Sequence, residues 1–138
     1  MSDTIPQRAG PNAPLSPHLQ VWRFTVTMAA SITQRIAGVG NAIGLLLLTL
    51  WVASAAMSDS AFAAVNGFLA SPFGLFLLFG FTLSFSFHML NGIRYLFWDA
   101  GRGFDKSLAS GTAWAAYGGS VVLTLLIFFV GFSVHGGA

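Results

Sequence analysis

The stretch FGLFLLFGFTLSFSFHMLNGI, residues 73–93, carries no Asp, Glu, Lys or Arg and only one histidine, His88. A helix needs about 20 predominantly apolar residues to cross the hydrocarbon of a bilayer, and this stretch is long enough. Two further stretches without those four residue types cover residues 36–58 and 107–138. Because unpaired backbone groups are too costly in lipid, each crossing must be helical. The sequence therefore predicts an all-α membrane protein with three transmembrane helices.

The composition agrees with a lipid environment, since 55% of the residues are hydrophobic and 7% are charged. Soluble domains draw about a quarter of their residues from the charged types, so this chain lacks the side chains to cover a water-facing surface. The net charge is only +2, without a basic cluster, which argues against a nucleic-acid partner. The absence of cysteine excludes disulfides and a cysteine-ligated iron–sulfur cluster within the chain.

Proline and glycine residues indicate where the helices begin and end. We place the three helices over about residues 29–56, 72–98 and 112–134. Pro72 suits the first turn of the second helix, and Gly101 and Gly103 mark its exit. The proline-rich residues 1–28 are predicted to form an extended arm at the membrane interface, ahead of a transmembrane domain over residues 29–138.

The basic residues predict the orientation of the chain. They precede or open the first helix, or lie from the inner end of the second helix up to the third helix: Arg8, Arg23, Arg35, Arg94, Arg102 and Lys106. Because short flanks rich in Lys and Arg stay inside, we expect the N-terminus inside and the C-terminus outside. The chain is thus predicted to be a multi-pass protein of a bacterial inner membrane or of the mitochondrial inner membrane.

His88 is an ionisable residue predicted to lie near the middle of the bilayer. It precedes Trp98, at the inner end of the second helix, by ten residues, which is about 15 Å along a helix. Ionisable groups at this depth are costly and mark functional sites by default. Small or polar residues at helical spacing share its predicted face: Ser84, Asn91, Gly92 and Tyr95. Two interpretations stay open, a neutral imidazole that ligates an iron or one that hydrogen-bonds to a neighbouring helix.

The chain holds only two other histidines, His18 in the arm and His135 at the outer end of the third helix. Neither is predicted to reach the middle of the membrane. If His88 ligates a haem together with a second histidine, that histidine must come from another polypeptide or from a second copy of this chain.

The first helix carries a stripe of small and polar residues at helical spacing: Ser31, Gln34, Arg35, Gly38, Asn41 and Ala42. Ser31 and Arg35 lie one turn apart near the inner interface, where a hydroxyl and a guanidinium together suit a quinone carbonyl or a haem propionate. The alternative is that Arg35 extends to lipid phosphates while Ser31 caps a turn. Gly40 and Gly44 form a GxxxG pair, which indicates close helix packing.

Two segments carry a family resemblance. The segment PLSPHLQVWRFTVTMAASITQR, residues 14–35, is similar to the pattern R-P-L-S-P-H-L-x-x-Y-R followed by S-I-x-H-R at the start of a first helix. The segment HMLNGIRYLFWDAG, residues 88–101, is similar to a second pattern, in which H-x-x-x-G leads through an aliphatic residue and R-H to D-x-G. Both patterns are signatures of the cytochrome b subunits of succinate dehydrogenase, which this chain resembles over nearly its whole length.

The resemblance implies a role for each candidate residue. His88 corresponds to the axial ligand of haem b, and Ser31 and Arg35 correspond to residues lining the ubiquinone pocket, with Arg35 also near the haem propionates. A second small membrane anchor subunit supplies the other axial histidine in such complexes. An iron–sulfur subunit and a flavoprotein subunit dock on the inner face, oxidise succinate in the tricarboxylic acid cycle and pass electrons to quinone.

The departures from the family pattern include three substitutions. Ala13 stands where an Arg usually precedes Pro14, Gln34 replaces a His, and Tyr95 replaces the His that usually follows the motif's Arg. The two replaced histidines lie near the propionates in the family. Gln and Tyr can donate hydrogen bonds but carry no positive charge, so Tyr95 stands as a candidate propionate contact of altered strength.

Two other functions stay open at this stage. A cofactor-free structural anchor or assembly protein would keep the helices and the membrane lipids around them, and the replacements at Gln34 and Tyr95 leave room for it. A transporter or channel component is disfavoured because the third helix has almost no polar face. The chain has no nucleophile–base pair and no phosphate loop, so we predict no catalytic residue in it and a role as a subunit of an oxidoreductase complex.

Overall fold

The computed structural model describes residues 22–136, with side chains up to residue 134. This part of the chain is helical throughout, with short connections: α1 Val26–Met57, α2 Asp59–Ala70, α3 Pro72–Asp99 and α4 Lys106–Gly136. α1, α3 and α4 are long and apolar enough to cross a membrane, which confirms the predicted three-span, all-α architecture. Most of the predicted arm, residues 1–21, lies outside the described residues.

Side-chain hydroxyls define where three of the helices begin. Thr25 caps α1 by accepting a hydrogen bond from the backbone N–H of Met28 at 3.3 Å. Ser58 caps α2, and Ser71 caps α3 by accepting from the N–H of Gly74 at 3.1 Å, with Pro72 in the first turn as predicted. These caps satisfy backbone donors that a helix leaves free at its start. α1 therefore begins at Val26 rather than at 29.

The short helix α2 was not predicted and replaces the expected loop between the first two spans. It packs against the end of α1, where Trp51 Nε1 donates a hydrogen bond to Asn66 Oδ1 at 2.8 Å and the Trp51 ring lies 5.9 Å from that of Phe62. A side chain at Gly74 would overlap the backbone of Phe68. Glycine there lets α2 turn directly into α3.

The connection between α3 and α4 is shorter than expected, because α4 starts earlier. Gly101 and Gly103 adopt positive φ angles of 73° and 82°, a left-handed conformation that glycine takes without strain. α4 then begins at Lys106, six residues before the predicted start at 112. The exposed residues Arg23, Arg102 and Lys106 all lie at this end of the bundle, which we call the basic end.

α1 and α3 run antiparallel in close contact because glycine lines their crossing. A Cβ at Gly40 would lie 2.8 Å from Ser84 Oγ, and one at Gly44 would overlap the Phe81 ring. The GxxxG pair therefore packs α1 against α3, which confirms the prediction of close packing.

The small apolar core lies where α1, α3 and α4 meet. Its members are mostly alanines, which let the helices approach: Ala30, Ala37, Phe87, Ala113 and Ala116. The hydroxyls of Thr33 and Tyr117 form a hydrogen bond of 2.8 Å that joins α1 to α4, and the Tyr117 ring lies 4.8 Å from that of Phe87. Large Leu, Ile and Phe side chains cover the outside instead, as expected of helices surrounded by lipid.

Candidate functional site

The candidate residues lie on the side of the α1–α3 pair that is turned away from α4. On α1, Thr33 points to α4, whereas Ser31 and Arg35 each lie two residues from it, about 200° around the helix. On α3, Phe79 packs on Phe128 of α4 at 5.3 Å, and His88 lies nine residues farther, about 180° around the helix. We call this surface the open face and define it by these residues: Ser31, Arg35 and Gly38 of α1 with His88, Gly92 and Tyr95 of α3.

His88 is half-buried at the centre of the open face. Its ring packs against the backbone of Gly38, with Cε1 3.7 Å and Nδ1 4.0 Å from the position that a Cβ there would take. Nδ1 is enclosed and has no hydrogen-bond partner in the described part of the chain. One turn farther, a Cβ at Gly92 would meet nothing within 4 Å. The face thus combines an unsatisfied imidazole with open space beside it.

The other predicted site residues line the same face nearer the basic end. Arg35 is exposed and Ser31 is half-buried one turn away. Arg35 precedes Gly38 by three residues, which is about 4.5 Å along α1 from the level of the His88 ring. Tyr95 is half-buried, with its ring 5.4 Å from that of Trp98. The described structure contains no hydrogen bond that links Ser31, Arg35 or Tyr95 to one another.

Two further residues of the predicted faces lie in the α1–α3 contact. Gln34 Nε2 donates to the backbone carbonyl of His88 at 3.3 Å, and Gln34 Oε1 accepts from Asn91 Nδ2 at 3.1 Å. Asn91 is fully buried. The prediction that Asn91 shares a face with His88 agrees with these contacts, because Asn91 meets Gln34 of α1 and the His88 ring meets Gly38 of α1.

Sequence reasoning missed Arg94, which is buried at the α3–α4 contact. Its guanidinium donates to Asn91 Oδ1 at 3.1 Å, to Thr112 Oγ1 at 3.0 Å and to the Ala109 carbonyl at 3.0 Å. It also lies 4.0 Å above the centroid of the Trp98 ring. The spacing of Asn91, Arg94 and Trp98 by three and four residues was the available signal, since such residues meet on one helix edge.

Comparison with known proteins agrees with this architecture. A model of the succinate dehydrogenase/fumarate reductase transmembrane subunit family matches residues 9–127. The succinate dehydrogenase cytochrome b556 subunit of Paracoccus denitrificans is 41% identical over 122 residues, which cover 86% of this chain and 94% of the relative. The cytochrome b556 subunit of Rickettsia conorii is 30% identical over 115 residues, covering 83% and 90%.

A mitochondrial protein is similar as well. The succinate dehydrogenase cytochrome b560 subunit of Mus musculus is 36% identical over 125 residues, which cover 83% of this chain and 67% of that relative. The family match spans most of the chain, and the structure supplies three apolar spans. The chain therefore belongs to the family of succinate dehydrogenase and fumarate reductase transmembrane subunits and is a multi-pass protein of a bacterial or mitochondrial inner membrane.

Proposed function

We propose that this chain is the membrane-anchoring cytochrome b subunit of a succinate dehydrogenase. In this proposal it holds a haem b jointly with a second membrane subunit and contributes to the reduction of ubiquinone with electrons from succinate. The names of its relatives, which are cytochrome b556 and b560 subunits, support the haem.

The observation that carries the proposal is the state of His88. The ring is an ionisable group in an apolar span, half-buried on the open face with Nδ1 enclosed against α1. With Nδ1 enclosed, Nε2 is the nitrogen that we assign to the iron. Gly92 leaves the backbone one turn from His88 accessible to a flat macrocycle, so the residues present fit a haem.

The second axial ligand must come from a partner. His88 is the only histidine between residues 22 and 134. The open face also lies at the surface of the chain rather than in its core, which suits a group shared between two subunits. We assign the other axial histidine to a second membrane anchor subunit packed on this face.

Ser31 and Arg35 are the residues that we assign to the quinone. Both can donate hydrogen bonds to a carbonyl oxygen, and the guanidinium adds a positive charge where negative charge develops as the quinone takes up two electrons and two protons. A haem held by His88 would supply a store for one electron. The exposure of Arg35 on the open face leaves its guanidinium accessible to such a substrate.

We assign the docking of the soluble subunits to the basic end. Arg23, Arg102 and Lys106 are exposed there, and short basic flanks favour the cytoplasmic or matrix side. We therefore place the N-terminus and the iron–sulfur and flavoprotein subunits on that side, and the C-terminus on the other. Lipid surrounds the remaining apolar surface of the three spans.

One observation favours a cofactor-free anchor as the second candidate. Gln34, which replaces a histidine of the family pattern, uses its amide nitrogen and oxygen within the chain, on the His88 carbonyl and on Asn91. This arrangement commits one of its two amide N–H groups to α3. An anchor without haem would keep this pair as a link between α1 and α3.

The reduced-minus-oxidised optical spectrum of the purified complex distinguishes the two candidates. We expect a b-type haem signal in the wild type and its loss in His88→Ala, with all subunits still co-purifying. Met89→Ala is the matched control, because Met89 is exposed beside His88 and lies about 100° around the helix from it. A wild-type complex without haem would support the cofactor-free anchor, and a normal spectrum in His88→Ala would refute the ligand assignment.

A further inference from the structure

Two complementary polar atoms are enclosed without a partner on facing edges of α1 and α3. One is His88 Nδ1, and the other is Asn41 Oδ1 on α1. An amide oxygen only accepts hydrogen bonds, whereas Nδ1 carries the proton whenever Nε2 of a neutral imidazole is used as a ligand. One atom is therefore a hydrogen-bond donor without an acceptor, and the other is an acceptor without a donor.

Asn41 lies on the side of α1 that faces α3. It follows Gln34 by seven residues, so the two share one edge of the helix, and Gln34 already reaches the backbone carbonyl of His88. Asn41 also follows Gly38, the residue against which the His88 ring packs, by one turn. One turn of helix separates Asn41 from the level of the ring.

The antiparallel arrangement closes this gap. Side chains in a helix lean toward its N-terminus. α1 and α3 run in opposite directions, so the side chain of Asn41 leans toward the basic end while the His88 ring leans away from it. The two side chains therefore lean toward each other.

The neighbouring polar side chains are already engaged. Ser84 Oγ donates to the Ala37 carbonyl at 2.9 Å, and both polar atoms of the Gln34 amide are in use. Asn41 Oδ1 is the acceptor on this edge that the described structure leaves without a donor.

We propose that Asn41 is a positioning residue for His88, whose Nδ1–H it accepts when the imidazole binds the haem iron. The hydrogen bond fixes the tautomer that directs the Nε2 lone pair outward, orients the ring and makes it a more basic ligand. This inference rests on the proposed function, because it requires His88 to be a haem ligand.

Asn41→Leu tests the proposal in the purified complex, because it keeps the volume and removes the acceptor. We expect haem to be retained roughly 10- to 100-fold more weakly, the usual cost of losing a hydrogen bond to a metal ligand. We also expect a higher haem midpoint potential in a redox titration, because a less basic imidazole stabilises ferric iron less. Asn41→Gln, which returns an amide oxygen on a longer chain, should recover part of both.

Ser86→Ala is the matched control. Ser86 Oγ is also enclosed without a partner, but Ser86 lies two residues from His88, about 200° around α3 on the side of α4. It should leave the potential and the haem content unchanged. If Asn41→Leu does not assemble, Asn41→Ala removes the same acceptor with less bulk and carries the test.

Two results would overturn the inference. One is a wild-type potential and haem affinity in the assembled Asn41 variants. The other is a shift caused by Ser84→Ala instead, which would assign the acceptor to Ser84. Failure of the proposed function is distinguishable, since it appears as absent haem in the wild type or retained haem in His88→Ala.

Discussion

The polar groups on the two sides of α3 differ in whether they are hydrogen-bonded. Toward α4, the buried guanidinium of Arg94 donates hydrogen bonds to three partners and covers an aromatic ring. On the open face, His88 Nδ1 is enclosed and unpaired, and Asn41 Oδ1 across the helix contact is in the same state. The same helix thus presents a completed network on one edge and incomplete pairs on another.

This difference indicates that one side of α3 serves stability and the other serves binding. In a low-dielectric interior, a satisfied polar network rigidifies the fold, whereas an unsatisfied group is costly until something completes it. We therefore assign the α4 side to holding the bundle together and the open face to receiving a cofactor, a substrate or a partner subunit.

Arg94→Leu removes the hydrogen-bond network on the α4 side of α3 and should give the largest loss of stability. Each lost bond contributes between about 0.6 kcal/mol, the average for interhelical hydrogen bonds in membranes, and about 3 kcal/mol for a charged donor. We expect a lower melting temperature of the detergent-purified complex, with a normal haem spectrum in the fraction that assembles. Arg102→Leu, which removes an exposed arginine near the basic end, should change the melting temperature little. An Arg94→Leu complex of wild-type stability but altered spectrum would reverse the roles of the two sides.

Arg35→Ala tests the functional role of the open face and should lower quinone reduction. A hydrogen bond from a charged donor is worth about 1.5–3 kcal/mol, so quinone reduction should fall roughly ten- to a hundredfold. Succinate oxidation by an artificial dye should survive, because it does not need the open face. Arg23→Ala, at an exposed position ahead of α1, is the control for loss of a basic residue. Equal loss of both activities would point to failed assembly rather than to a quinone contact.

Ser86→Ala should have the smallest effect on stability. It tests the one residue named here on the α4 side of α3 whose hydroxyl is unpaired. Ser86 is fully buried toward α4, yet its hydroxyl has no partner within the described residues. Removing an unpaired buried hydroxyl also removes its desolvation cost, so stability should stay within about 1 kcal/mol of the wild type or rise slightly. Thermal denaturation measures it. A clear loss of stability would show that this hydroxyl is paired in the assembled complex.

The fold could be predicted where hydrophobic length decides it. Uncharged stretches give the three spans, and Pro72 and Gly101 mark the ends of α3. α2 was missed because twelve residues of mixed, small composition are too few to cross a bilayer and carry no strong period. The early start of α4 was missed because its first turns, from Lys106, are polar and small. Arg94 fixes them by binding the carbonyl of Ala109.

The site was predictable in its residue types but not in its pairing. The depth of His88 and the one-turn spacing of Ser31 and Arg35 are properties of single helices, so the sequence indicates them. Which polar residues turn inward depends on the rotation of α1 against α3, and the glycine contacts set that rotation. The hydrogen bond between Gln34 and Asn91 was therefore not predicted, since helical spacing alone does not say which edge a neighbour covers.

The most direct test is an experimental structure of the purified complex, read at His88. We predict density for a haem on the open face, with Nε2 of His88 bonded to the iron and a histidine of a second membrane subunit on the opposite side. A map in which the open face packs against lipid, with the ring of His88 far from any macrocycle, would contradict the account.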